Sequence, residues 1–382
     1  MITNILLTDM KHYFLLFILL LVIITIEGCT EELHPETNGT NSPVLNEGEL
    51  TKAVLDLSVN TFAVEAQAET RASIPSNIPE NETSEEKEVH NIWVFQYDAV
   101  TKELLIKPRY YTITDQIMLQ DLPVYLKAGI PSFVYVVTNT GYDNWANDDT
   151  DTSWQKFKNL EQLKKQTLPT AFPLRSIDKV SIPMVGASEE VEVTTGITVT
   201  VPVTRMYAKL KVKVEMLKAE MKLNNVNVRQ IPNICRIETF AGDGNGEPMN
   251  AVPFPDGTTF SSIAFAASDL EKSEDKEWAV FYVPENLQGE IENQGGNKSD
   301  AAPTNALVVD VTAEIGGEKY LYAAYPGGNS LNNFNIQRNQ VYRMTLTITG
   351  EKGQNNPSSN CFVVKPNGFL SFEPYYRVET GG

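Results

Sequence analysis

Apolar and polar residues alternate with a period of two along much of this chain. In "ITVTVPV" (197–203) every second residue is apolar, and in "AKLKVKVEM" (208–216) Leu210, Val212, Val214 and Met216 share one face while the lysines take the other. A period of two puts successive side chains on opposite faces of a pleated strand, so each stretch reads as a strand with one face turned to a core. The habit continues in "VVDVTAEI" (308–315), "KYLYAAY" (319–325) and "YRMTLTI" (342–348). "NIWVFQY" (91–97) and "FVYVVTNT" (133–140) are apolar, aromatic and β-branched nearly throughout, and the second reads as a strand buried on both faces. Nearer the start, "AVLDLSVNTFAVE" (53–65) places Leu55, Leu57, Val59 and Ala63 on one face and Asp56, Ser58 and Asn60 on the other.

One stretch has a helical period instead. "TSWQKFKNLEQLKKQTL" (152–168) spaces Trp154, Phe157, Leu160 and Leu163 into an apolar stripe; Thr152 with Gln155 fits a capping box, and Pro169 ends the run. Residues 68–88, "AETRASIPSNIPENETSEEKE", are rich in Pro, Ser, Asn and Glu and are expected to form a long exposed loop of the kind proteases enter. Strands at sandwich spacing, joined by long polar loops and without a fixed short repeat, predict a mostly β protein rather than a solenoid or propeller. The 382 residues suffice for two domains. A break is expected near 204–208, where one set of strands closes with "VTVPVTR" and a new alternation begins.

The N-terminal region has a different pattern. Residues 13–26 carry no charge and follow Lys11. A run of 14 residues is short against the ~20 that span a bilayer, and it suits the apolar region of a signal peptide. It ends at Ile26-Glu27-Gly28-Cys29, which resembles a bacterial lipobox: a branched apolar residue, then a small one just before the cysteine. The expectation is a signal peptide over 1–28 and a lipid on the Cys29 thiol, with two or three acyl chains holding the protein on a membrane. Residues 29–50 are acidic and turn-rich and read as a flexible tether.

Charge and chemistry narrow the functional classes. With 31 Lys and Arg against 49 Asp and Glu, the net charge is −18, which argues against a nucleic-acid partner. Beyond Cys29 there are only Cys235 and Cys361; they are free to pair, but one pair is not a disulfide framework and none is expected. Of His12, His34 and His90, only His90 falls in an expected folded domain, which leaves no histidine metal cluster and no choice of triad histidine. "AGDGNGEP" (241–248) lacks dinucleotide-loop spacing and reads as a turn. Asp148, Asp149 and Asp151 read as a solvated loop placing negative charge at a helix start, in preference to a calcium site. No nucleophile elbow, zincin motif or P-loop occurs, so no catalytic residue, cofactor or metal is expected. Trp93, Trp154 and Trp278 lie in predicted elements and are expected in the core; Trp145, in "GYDNWANDD", is the one candidate for ligand contact.

Several segments together resemble the fimbrillins of Bacteroidetes, subunits of type V pili. They are the lipobox at Cys29, with "CTEE" resembling an acidic surface-export tag; "HNIWVFQYDAVTKELL" (90–105); "SIPMVG" (181–186) followed by "VTRMYAKLKVKVE" (203–215); "FYVPENLQG" (281–289); and "YPGGNSLNNFNIQRNQVYRMTLTITG" (325–350). "HNIWVFQYDAVTKELL" resembles the family's second strand and its turn. "SIPMVG" with "VTRMYAKLKVKVE" resembles the passage that bridges the family's two domains, with Arg205, Ala208 and Lys209 in place. The resemblance spans about residues 50–375 and implies two tandem transthyretin-like β-sandwich domains, 51–205 and 206–350, with the short amphipathic helix in the first. It further implies cleavage by an arginine-specific protease at Arg71–Ala72 and loss of the leading strand, 53–65. A strand from another subunit would then take its place by β-augmentation. Arg71 also reads as a plain loop arginine. If it is not cut, Cys29 keeps the subunit on the outer membrane as an anchor or as an adhesin for surface glycans or proteins. Residues 351–382 are expected to be a C-terminal strand extension, either a donor strand or the start of a further domain. Stalk, tip and anchor roles remain open.

Overall fold

A computed structural model of the chain describes residues 48–64, 83–113, 120–141, 153–169, 174–178, 181–216, 218–238, 250–273, 276–292, 301–328, 332–348, 371–372 and 376–377. The first half contributes β1 (Leu50–Val59), β2 (Ala63–Val64), β3 (Asn91–Asp98), β4 (Arg109–Thr112), β5 (Leu122–Lys127), β6 (Pro131–Thr138), β7 (Thr167–Pro169), β8 (Leu174–Arg175), β9 (Met184–Ala187), β10 (Val191–Glu192) and β11 (Thr198–Arg205). The second contributes β12 (Tyr207–Met216), β13 (Lys222–Pro232), β14 (Ile234–Arg236), β15 (Phe260–Ala266), β16 (Trp278–Pro284), β17 (Val308–Ile315), β18 (Glu318–Tyr325), β19 (Gln340–Ile348), β20 (Ser371–Phe372) and β21 (Tyr376–Arg377). The chain is mostly β, as its alternation predicts.

Eight strands of the first half make one sheet in the order β4-β3-β6-β9-β11-β1-β5, with β10 on β6. The sheet curls until its two ends meet: the Tyr125 N–H donates to Tyr111 Oη at 3.3 Å, and Arg109 lies 5.5 Å from the Tyr125 ring. Inside the curl, Ala53, Leu55, Val94, Leu126, Val136 and Val201 share one core. In the second half, a five-stranded sheet, β2-β19-β12-β16-β8, faces a six-stranded one, β15-β13-β17-β18-β20 with β21 also on β18. Leu210, Val212, Phe281 and Met344 from the first of these meet Val228, Phe265, Val311 and Tyr322 from the second, a β-sandwich core.

A third core welds the halves. Trp93, Phe95 and Tyr97 on the outer face of the curled sheet pack with Phe157, Leu160 and Leu163, and with Tyr207, Val280, Tyr282 and Val341 on the back of the five-stranded sheet. This explains why "NIWVFQY" is apolar throughout: β3 separates two cores and feeds both faces. The halves also trade strands. β2 and β8 join the sheet of the second half, and β7 pairs with β14.

Three expectations are corrected. The helix expected over 152–168 is two short pieces, a 3₁₀ turn at Ser153–Phe157 and α1 (Leu160–Lys164), capped by Asn159, whose side chain accepts from the Gln162 N–H at 2.9 Å. The break arises because residues 158–160 pair with the β3–β4 turn: Leu104 N–H donates to Lys158 O, and Leu160 N–H to Lys102 O. Thr152 lies outside the described residues, and Thr167–Pro169 is a strand rather than a helix end. Second, the leading strand begins at Leu50, ends at Val59 and resumes as β2 on a different sheet. Third, β12 does not turn all its lysines outward, since Lys209 is buried. Among the described residues no helix is long and apolar enough to cross a membrane.

Candidate functional site

β1 occupies a slot between two strands that come later in the chain. It pairs in parallel with β11, from Val54↔Thr198 to Val59↔Val203, and antiparallel with β5, from Leu50↔Lys127 to Leu55↔Leu122. Alternation supplies the side chains that fill the slot: Ala53, Leu55 and Leu57 point into the core, while Lys52 and Ser58 stay exposed. Among the described residues neither neighbouring strand has another partner on that side, so β1 satisfies both edges.

After Val59 the chain crosses to the second half through residues 60–62, and a cluster of polar groups receives it. Asn60 N–H donates to Val203 O at 2.9 Å, and its Nδ2 to Thr204 Oγ1 at 2.8 Å. Arg205 Nη1 donates to Asn60 O at 2.7 Å, and Asn339 Nδ2 donates to Thr61 O at 2.7 Å. The Phe62 ring is buried, with the Arg205 guanidinium 4.1 Å from its centroid and the Lys209 ammonium 5.7 Å away. β2 then runs parallel to β19, Ala63↔Gln340 and Val64↔Val341.

The same cations are held from a second direction by residues 83–87. Arg205 Nε donates to Glu86 O at 2.8 Å, and Lys209 Nζ lies 2.7 Å from Glu86 Oε1. Tyr282 Oη donates to that oxygen at 2.5 Å, and the Thr83 N–H donates to Glu86 Oε2 at 3.0 Å. Burial and the neighbouring Glu86 charge push the Tyr282 phenol far above its ordinary value, so it stays a donor. Arg205, Lys209 and the Glu86 carboxylate meet at a buried junction, where carbonyls and a ring face also approach the cations. Close by, Arg338 makes a forked pair with Glu285, 3.0 and 2.8 Å, and donates to the carbonyls of Arg236 and Ile237.

Of the residues singled out from sequence, Arg205 and Lys209 lie at the centre of this clasp. Ala208 lies beside them with its methyl in the core of the second half, opposite Val283. Cys29, Arg71, Ala72, Trp145, Cys361 and the two acidic or glycine-rich loops lie outside the described residues. Trp93 is buried, Trp154 is partly buried, and Trp278 is partly buried beneath Lys211 at 5.4 Å. His90 Nε2 lies 3.7 Å from Glu88, and no cluster of metal-ligating side chains occurs among the described residues. Cys235 is a buried free thiol. Sequence reasoning passed over Glu86, Asn60, Phe62, Tyr282 and Asn339. Glu86 is one acid among several in "SEEKE", and the one local hint elsewhere is Phe62, the sole aromatic in the leading segment 48–64.

The fold and this site define a two-part β protein whose first described strand is locked into a slot between later strands and clasped where the parts join. A family model described as a domain of unknown function (DUF4906) matches residues 281–346, a stretch that includes Tyr282 and Asn339. No curated protein matches the sequence. Solved structures similar to the chain include the tip fimbrial protein Mfa3 of Porphyromonas gingivalis with a C-terminal truncation, at 15% identity and a TM-score of 0.49, covering 85% of this chain and 100% of that one. They also include a fimbrial assembly protein of Parabacteroides distasonis, at 14% identity and a TM-score of 0.46, covering 85% and 99%.

Proposed function

We propose that this chain is a structural, non-enzymatic subunit of a type V fimbria, carried to the outer membrane by a lipid on Cys29. An arginine-specific surface protease cuts between Arg71 and Ala72. The segment before the cut then leaves, and a strand from another subunit takes its place, building a surface fibre for adhesion and biofilm formation. The observation that carries this reading is the position of β1. It is the first described strand, it lies just ahead of the cleavable stretch, and yet it is an interior strand of its sheet. Its loss leaves two unpaired strand edges above an apolar floor, the arrangement that β-augmentation fills with main-chain hydrogen bonds and alternating side chains. The order of residues in the chain supports it further, because Arg71 separates β1 and β2 from all their partners.

Mass spectrometry of the N-terminus of surface protein tests the reading. The expected result is a terminus at Ala72 within a high-mass ladder that resists SDS, abolished by Arg71→Ala. A lipid-modified Cys29 on all mature protein would overturn polymerisation and leave a surface-retained anchor or a glycan-binding lipoprotein.

A further inference from the structure

The clasp has two sources of ligands, and a cut at Arg71–Ala72 would separate them. Glu86 and Thr83 lie after the cut and stay with the body of the protein, so Lys209 keeps its carboxylate and Arg205 keeps Glu86 O and Asn339 Oδ1. Asn60 O, Thr61 O and the Phe62 ring lie before it and would leave with β1. Arg205 and Lys209 would then face the vacated end of the slot without these ligands. Whatever enters next must offer carbonyls to Arg205 and Asn339 and something electron-rich to the guanidinium face. A backbone supplies the carbonyls in any sequence; the ring depends on the residue.

We infer that the Arg205–Lys209–Asn339 junction selects the incoming strand, and that its partner is an extended segment of a second subunit with a defined pattern. That pattern is apolar residues at alternate positions, filling the places of Ala53, Leu55 and Leu57, followed by an aromatic ring in the place of Phe62, five residues beyond Leu57. A Lys or Arg at the ring position is rejected, since it would bring another positive charge against the buried Arg205 and Lys209. The slot therefore reads its partner twice: the apolar floor sets register, and the junction tests how the strand ends. This inference rests on the strand-exchange reading above.

The test uses the full chain cut at Arg71 and a fluorescent peptide of residues 50–64 offered in excess. The unmodified peptide is expected to exchange into the slot, and Leu57→Ala in the peptide to weaken it through the floor. Phe62→Leu, which keeps an apolar side chain but loses the ring face, is expected to weaken uptake about tenfold, and Phe62→Lys more. With protein carrying Arg205→Met, the ratio of uptake between the unmodified and Phe62→Leu peptides is expected to shrink towards one. The peptide series stands without that variant if it does not fold. Equal uptake of the unmodified and Phe62→Leu peptides, with Leu57→Ala still impaired, would overturn the junction's selectivity and leave strand exchange standing. No uptake of any peptide would overturn strand exchange and this inference with it.

Discussion

Lys209 Nζ lies 2.7 Å from Glu86 Oε1, and the two side chains are 5% and 0% exposed. The pair joins a strand of the second half to the segment just after the proposed cleavage stretch, and Phe62, just before that stretch, covers both Lys209 and Arg205. One buried site thus senses both sides of the chain around Arg71. Taking ions out of water is costly, and the pair is tolerable only while its hydrogen bonds are complete.

Glu86→Gln is expected to destabilise the protein by about 3–5 kcal/mol, because it takes the carboxylate away from the buried Lys209 ammonium. A urea titration should show a lower midpoint with an unchanged slope. Adding Lys209→Met should recover part of the loss, since the two positions share one interaction.

Gly186 in β9 lies against the backbone of β11, beside the slot. A Cβ there would lie 1.9 Å from the Pro202 carbonyl oxygen and 2.9 Å from the Val203 Cα. Both obstacles are backbone, so Gly186→Ala must force the strands apart, at a cost of about 1–3 kcal/mol or more. Thermal unfolding measures it, with Gly196→Ala as a comparison for strain in an open turn.

Leu55 is fully buried at the middle of β1 and touches the core of the curled sheet. Leu55→Ala should cost about 2–5 kcal/mol of stability in the intact chain. After cleavage at Arg71 the same change should hasten loss of the leading segment, read as its rate of release on gel filtration. Val100, 86% exposed, provides a neutral control through Val100→Ala.

Cys235 lies on β14 in the core shared by the halves, and burial pushes its thiol up to about 12 from an ordinary value of 9.0. The fold holds the neutral thiol, so this contribution to stability is complete below pH 9.0 and is lost as pH rises towards about 12. Iodoacetamide at pH 8 should leave Cys235 unmodified in native protein and label it in denaturant, with the Cys235 peptide followed by mass spectrometry.

The strands were legible wherever alternation was clear. β11, β12, β17 and β19 lie within a few residues of their expected limits, because the period of two reflects a core on one side. What alternation supplies is parity, not surroundings. Lys209, Lys211 and Lys213 share a face of β12, and of the three Lys209 is the one buried, where Phe62 and Glu86 of the first half reach it. Glu86 differs from Glu85 in no local feature; a fold that brings Lys209 and Tyr282 to it makes one an ion-pair partner and leaves the other in water. The helical period over 152–168 has the same limit: Phe157, Leu160 and Leu163 do face the core, but hydrogen bonds from the β3–β4 turn interrupt the helix at Asn159.

Local pattern therefore determined the β class, the strand positions and the apolar side of β1, because each is written in neighbouring residues. Only tertiary structure decided that the first strand lies between the strands of residues 122–127 and 198–205, that its tail crosses to a second sheet, and that Glu86, Asn339 and Phe62 converge there. Strand pairing and buried charge compensation are set by which distant surfaces meet, and a period of two carries no record of the partner.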